Sequence, residues 1–327
     1  MKLSEIIKGA KTIGISGHIR PDGDCTGSTM ALYLYLKKIC SEATIHLFLE
    51  NRQEIMQDMK YLSEIDTEYG YEGDFDVFFA LDCAKDRLGK AETYFDNAKR
   101  TVNIDHHVSN RNGCAMVNFV EPEASSTSEL IYELIKADAN SLSIEERMDA
   151  DIALAIYIGM IHDTGVFQYS NTTPRTLVDA SELITYGFDF SRIIEETFYQ
   201  KTYLQNQIMG RALLESIRFM DGRCIVACVD RKTMDFYGAV PADLDGIVNQ
   251  LRNIKGVDCA VFMYELGPLE YKVSMRSNEK VNVSQVASFF GGGGHVRAAG
   301  CTMNGTFHDC INNLSLHIEN QIGVKND

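Results

Sequence analysis

Residues 12–39 read TIGIS, GHIRPDGDCTGS, TMALYLYLKKI, and this stretch decides the fold. The first five residues have the composition of a buried strand. A polar loop follows with His18, Asp22 and Asp24, and then apolar residues recur at helical spacing from Gly27 to Ile39. Strand, polar turn and helix in one short run open a βαβ unit. The pattern recurs, with candidate strands at Thr44–Leu49, Asp76–Leu81 and Thr101–Ile104. Helices are expected at Ser128–Ala137, behind the capping pair Ser126 and Glu129, and from Ser143, with Glu146 at its capping position, toward His162. This predicts an α/β fold with a parallel-sheet N-terminal domain.

The run SRIIEETFYQKTYLQNQ has a more polar helical pattern and reads as a helical linker. Strands return at Cys224–Val229, Cys259–Tyr264 and Tyr271–Met275, then the helix-like VNVSQVASFF and four consecutive glycines. The expected division is a larger domain at 1–187, a linker at 188–210 and a smaller α/β domain at 211–327.

The 327 residues are 45% apolar and 24% charged, the composition of ordinary globular domains, which excludes a disordered or collagen-like chain. No apolar run approaches the ~20 residues of a membrane span, and the first residues lack a secretion signal. Thirty-one basic against 46 acidic residues give a net charge of −15. Long duplex nucleic acid is therefore a poor partner, because such binding rests on Lys and Arg neutralising phosphates. Nine scattered cysteines suggest reduced thiols and a cytoplasmic setting. Cys224 and Cys228 share one face of a strand and read as core, with no second close pair to complete a zinc site.

The charges fall at strand ends. His18, Asp22 and Asp24 follow the first strand, Asp82 follows DVFFAL, Asp105, His106 and His107 follow TVNI, and Asp163 ends the helix ALAIYIGMIHDTG. The carboxyl ends of parallel strands share one edge, where ligands bind. Several crowded carboxylates repel one another unless a cation joins them. Carboxylates with imidazoles suit Mn²⁺, and less specifically Mg²⁺ or Co²⁺. Two such ions can clamp both ends of an in-line displacement at phosphorus.

In order and spacing these motifs resemble those of the DHH phosphoesterase family over about residues 12–175. The resemblance implies two divalent metal ions. It casts His18 and Asp22 as ligands of the first, Asp24, His106 and Asp163 as ligands of the second, and Asp82 as the carboxylate shared by both. It implies that His107 contacts the scissile phosphate and that Asp105 orients a histidine. Arg20 and Arg87 lie beside the motifs, as surface arginines or phosphate contacts. Cys25 and Cys83 stand where the family shows small or hydroxyl residues, as packing substitutions or as an oxidation-sensitive thiol. His162 is not counted as a ligand, since adjacent helical residues point ~100° apart.

GGGGHVRAAG (Gly291–Gly300), with Arg276 in VSMRS upstream, is similar to the nucleic-acid-binding domain that follows many DHH domains. That similarity makes Arg276, Gly292, Gly293, Gly294 and His295 substrate-binding residues, with Arg297 at a variable position. Two domains leave no room for the extra modules of the long-strand exonucleases of this superfamily. The resemblance thus points to the stand-alone branch, which cleaves short oligoribonucleotides (nanoRNA) to nucleoside 5′-monophosphates and 3′-phosphoadenosine 5′-phosphate to AMP and phosphate. The alternatives are a phosphodiesterase for cyclic di-AMP or its linear product pApA, a manganese-dependent inorganic pyrophosphatase, and a non-catalytic nucleotide-binding protein. A homodimer is compatible with the chain.

Overall fold

The structure, a computed structural model, describes residues 2–52, 59–138, 142–278 and 280–323, apart from the side chain of His295. It contains two compact units, Met1–Gln200 and Lys201–Asp327. The first is built on β1 (Thr12–Ser16), β2 (Thr44–Phe48), β3 (Ile65–Asp66), β4 (Val77–Leu81), β5 (Thr101–Asp105) and β6 (Val117–Val120). They form one parallel sheet in the order β3-β2-β1-β4-β5-β6. Alternate residues serve the two faces. Ile13, Ile15, Val77, Phe79, Leu81, Val102 and Ile104 join the core under the helices Gly23–Ile39, Thr127–Ala137 and Ala150–Asp163, while Phe48, Phe75, Phe78, Ala80 and Phe95 fill the other side. After β1 the chain first builds outward to β2 and β3, then returns to place β4 on β1's other flank. The β1/β4 boundary is therefore a topological switch point, where a crevice opens beyond the strand ends.

Local chemistry moves two helix boundaries. The first long helix starts at Gly23, a turn before its apolar pattern, because the Asp22 carboxylate accepts the N–H groups of Asp24 and Cys25 and caps it. The helix expected from Ser143 toward His162 is two helices. Ile144–Arg147 stops at an extended Met148, and Asp149 caps Ala150–Asp163 through the Ile152 N–H. The 188–210 stretch is likewise broken. Phe190–Ile194 runs into a π-helical turn over Glu195–Tyr199, and a separate helix, Tyr203–Leu214, begins behind the Thr202–Gln205 capping pair.

The second unit has β7 (Ile217–Phe219), β8 (Cys224–Val229), β9 (Cys259–Gly267), β10 (Glu270–Ser277), β11 (Gly293–His295) and β12 (Ala298–Asn304), in the order β11-β12-β10-β9-β8-β7. Only β8 and β9 are parallel. Cys259, Val261, Met263, Val273 and Met275 face the core shared with the helices Val283–Phe289 and Phe307–Ile322. On the other face, Ala260 and Phe262 pack with Ile208, Ile247 and Leu251. All nine cysteines are free. No helix among the described residues is long and apolar enough to cross a membrane.

Candidate metal centre

Each functional side chain in the first unit is placed by a strand end or a helix end. His18 follows β1 and is nearly buried, and its Nδ1 donates to the Ile19 carbonyl at 2.8 Å. That bond fixes the tautomer and turns the Nε2 lone pair toward the acids. His106 follows the same design, with Nδ1 3.3 Å from the Ala124 carbonyl. Asp82 follows β4 in a left-handed backbone conformation, φ 60°, held by its N–H on the Ile104 carbonyl at 2.9 Å. Such a conformation is tolerated by Asp and concentrates at functional sites. Asp24 sits in the first turn of its helix, 1% exposed. Gly159 makes room for it: a Cβ there would lie 2.8 Å from Asp24 Oδ1 and 1.9 Å from Ser128 Oγ.

The distances join all six proposed ligands. His18 Nε2 is 3.7 Å from Asp22 Oδ1 and 3.4 Å from Asp82 Oδ2. His106 Nε2 is 3.7 Å from Asp82 Oδ1, 3.4 Å from Asp163 Oδ2 and 4.0 Å from Asp24 Oδ2. These are too long for good hydrogen bonds. Two donors each ~2.1 Å from one ion at 90–110° lie ~3.0–3.4 Å apart, so the shorter pairs match shared ligation. Asp82 stands between the two sets, one oxygen toward His18 and the other toward His106. His107 Nδ1 is likewise 3.7 Å from Asp82 Oδ1, but its hydrogen bond goes elsewhere. Its Nδ1 donates to Asp105 Oδ1 at 2.7 Å, and Asp105, fully buried, also accepts the N–H groups of His106 and His107 and the Asn110 amide.

The electrostatics fit a cation. Burial, then the charges of Asp24 and Asp22, push the carboxyls of Asp82 and Asp163 well above the usual range, partly offset by histidines. Burial opposes protonation of His18, but Asp22 and Asp82 outweigh it and raise its pKa. Desolvation within the cluster acts to raise Asp22, although its side chain is 63% exposed, yet His18 and the capped N–H groups bring it to about 2. Four carboxylates around two inward-facing imidazoles thus hold negative charge against its own repulsion, which a divalent ion would relieve. Among the described residues, three groups have donor atoms within 4.8 Å of one another: His18, Cys25 and Asp82; Asp82, His106 and His107; Asp24, His106 and Asp163. Cys25 is fully buried beside His18, and burial pushes its thiol up to about 11. His162 is in none of these groups; its ring packs on Gly23 and edge-on to Phe198. Arg20 and Arg87 are exposed on loops joined by the Ile19 N–H to the Arg87 carbonyl at 2.8 Å.

In the second unit the second half of the glycine run enters a strand rather than an open loop. β11 pairs with β12, with Gly293 opposite Gly300, Gly294 opposite Ala299 and His295 opposite Ala298. Gly292 and Gly294 let the strands approach. A Cβ would meet the Gly300 carbonyl at 2.2 Å and the Ala298 carbonyl at 2.5 Å, and Gly294 has φ +141°. Arg276 of β10 also stands opposite Ala298, so Arg276, Ala298 and the His295 backbone form one row across three strands. The next row on the same face, two residues along, is Ser274, Gly300 and Gly293. The side chain of His295 lies outside the described residues. Arg297 is exposed in the β11–β12 turn.

Sequence reasoning missed Thr127, Ser128 and Asn171. Thr127 Oγ1 donates to Asp82 Oδ1 at 2.9 Å, the Thr127 and Ser128 N–H groups bind Asp24, and the Asn171 amide reaches the Asp163 carbonyl at 3.1 Å. The Ser126–Glu129 capping pair marks this helix start, and a helix N-terminus favours negative charge, but nothing in the residue string aims it at Asp24.

Carboxylates and imidazoles gathered at the switch point of a parallel sheet have the donor chemistry that could hold divalent metal ions of the kind that serve phosphoryl chemistry. Residues 12–160 match the DHH family, N-terminal domain, and residues 221–323 match the DHHA1 domain. The bifunctional oligoribonuclease and PAP phosphatase NrnA of Bacillus subtilis is 30% identical over 296 residues, 89% of each chain. The protein of that name from Thermus thermophilus is 29% identical over 314 residues, 93% of this chain and 88% of the relative. The crystal structure of an exopolyphosphatase-related protein from Bacteroides fragilis matches with a TM-score of 0.88 at 26% identity, covering 97% of this chain and 94% of that one. The chain belongs to the DHH family and carries a DHHA1 domain in its second unit.

Proposed function

We propose that this chain is a metal-dependent phosphoesterase that hydrolyses short oligoribonucleotides to nucleoside 5′-monophosphates and 3′-phosphoadenosine 5′-phosphate to AMP and phosphate. The observation that carries it is Asp82, whose two oxygens face His18 at 3.4 Å and His106 at 3.7 Å. The names of the relatives covering nearly the whole chain support the substrate class. His18, Asp22 and Asp82 would hold one divalent ion, and Asp24, Asp82, His106 and Asp163 a second, with Mn²⁺ the ion the donor set favours. When bound, such ions supply Lewis-acid polarisation of the phosphoryl oxygens and a water of lowered pKa.

The remaining work falls to the protein's own groups. His107, fixed through Nδ1 by Asp105, neutralises charge on the phosphoryl oxygens with the opposite edge of its ring. Asp105 holds that ring through a short bond to a buried carboxylate. The row of Arg276, Ala298 and His295 beside the side-chain-poor row of Ser274, Gly300 and Gly293 supports a flat nucleotide-binding shelf with a cationic end. The net charge of −15 supports substrates carrying few phosphates, since a long strand calls for an extended basic groove.

The test is product analysis of a 5′-labelled RNA series with Mn²⁺, run beside 3′-phosphoadenosine 5′-phosphate, cyclic di-AMP and pyrophosphate. Preference for dinucleotide-to-pentanucleotide RNA, with 5′-monophosphate products and phosphate released from 3′-phosphoadenosine 5′-phosphate, is the expected outcome. Turnover of pyrophosphate or cyclic di-AMP alone, or of nothing, overturns it.

A further inference from the structure

The N-terminal turn of the Thr127–Ala137 helix lies against the acid cluster. Its first backbone N–H groups, which no helix can bond internally, are assigned one by one. The Thr127 N–H binds Asp24 Oδ2 at 2.7 Å, the Ser128 N–H binds Asp24 Oδ1 at 2.9 Å, and the Glu129 N–H binds Ser126 Oγ at 3.0 Å. The Thr127 hydroxyl does something different: it leaves its own helix and donates to Asp82 Oδ1 at 2.9 Å.

The turn is itself braced. Glu129, fully buried, accepts the Ser125 N–H at 2.8 Å, the Thr176 hydroxyl at 3.1 Å and Arg175 Nε at 2.6 Å. Asn171 donates to the Ser125 carbonyl at 2.8 Å and to the Asp163 carbonyl at 3.1 Å. One braced turn therefore touches acids from two distant segments, Asp24 and Asp82, and Asn171 ties it to a third, at Asp163. Neither Thr127 nor Ser128 is exposed.

A carboxylate is a flat group on a soft terminal torsion, with a broad, roughly two-fold preference. Asp82 has to hold that plane so that Oδ2 faces His18 while Oδ1 faces His106. Its backbone is fixed by the left-handed conformation, but its side-chain plane needs a separate restraint, and the Thr127 hydroxyl supplies a hydrogen bond to Oδ1. We propose that Thr127 is a positioning residue that sets the plane of the Asp82 carboxylate, so that its two oxygens address two ion positions at once. This rests on the phosphoesterase reading; Thr127 touches neither substrate nor metal and acts through Asp82.

The experiment measures Mn²⁺ binding to the full chain by isothermal titration calorimetry, for the unmodified protein, Thr127→Val, Thr127→Ala and Thr127→Ser, with melting temperatures taken in EDTA. Removing a hydrogen bond to a metal-binding group typically weakens binding about 10–100-fold. Val and Ala are expected to fall in that range, and Ser, which keeps the hydroxyl, within about threefold of the unmodified protein. A merely structural Thr127 would lower the EDTA melting temperature and leave the affinity of the folded protein alone. Val or Ala binding Mn²⁺ within twofold of the unmodified protein overturns the proposal, as does Ser failing as badly as Val. Ala carries the test if Val does not fold. If the unmodified protein takes up no Mn²⁺, the phosphoesterase reading falls and this one with it; if it binds Mn²⁺ and the variants match it, only this one falls.

Discussion

Asp82→Asn separates the cost of the acid cluster from its use. Asp82 is 2% exposed, and burial with the charges of Asp24 and Asp22 drives its carboxyl well above its ordinary 3.8. At pH 7.5 the penalty of keeping a raised carboxyl folded cannot exceed (7.5 − 3.8) × ~1.36, or about 5 kcal/mol. The attraction of His18 offsets part of it. Asparagine has the same shape, can still accept from Thr127, and carries no charge. A gain of about 1–3 kcal/mol in the metal-free protein follows, worth about 2–10 °C in melting temperature for a unit of this size. With metal the sign reverses. A unit charge ~4 Å from a divalent cation is worth about 8 kcal/mol at an effective dielectric of ~20. Losing half of that is roughly a thousandfold. The assays are the melting temperature in EDTA and kcat/KM on a labelled ribodinucleotide with Mn²⁺. A variant that melts well below the unmodified protein in EDTA, or that keeps kcat/KM within tenfold, would refute the placement of Asp82 as a shared, repelled carboxylate.

Three further outcomes are expected. The metal-free protein should lose stability as pH rises from about 4, because Asp82 and Asp163 have raised pKa values and so bind more protons folded than unfolded. His18, also raised, adds a loss above about 6.5, whereas Asp22, lowered to about 2, adds stability that is complete above about 4; melting curves against pH in EDTA and in Mn²⁺ should diverge toward high pH. Asp105→Asn should reduce kcat at least tenfold while Mn²⁺ affinity, read by calorimetry, changes little, since an amide cannot accept from His107, two backbone N–H groups and Asn110 together. Arg276→Ala should raise KM about tenfold by steady-state kinetics and leave kcat within about threefold, as expected for a residue that binds ground and transition states alike.

Much of the first unit was legible in the residue string. β1 runs over the five residues its pattern marks, and β4 and β5 differ from expectation by one residue each. Buried parallel strands are short continuous apolar runs, which stand out against polar turns. The weak elements were the edge strands β3, β6, β7 and β11, with β12 beside the last, strands that pairing more than composition makes. The break at Met148 and Asp149 was hidden because the Ser143–Glu146 capping pair marks a helix start and the apolar run after it reads as that helix's continuation, and only the Asp149 cap divides the two.

By itself the sequence determined that acids and histidines follow successive strands, and a parallel sheet compels such positions to share an edge. It also specified which residues carry the charge, because carboxylate and imidazole chemistry does not depend on their neighbours. Only the tertiary structure decided how those groups face one another. The strand order put β4 beside β1 and so Asp82 beside His18, and the packing of the Thr127–Ala137 helix aimed two N–H groups and a hydroxyl at Asp24 and Asp82. Threonine, serine and asparagine are common in turns, and their role becomes visible only when the chain has brought a distant carboxylate within about 3 Å of them.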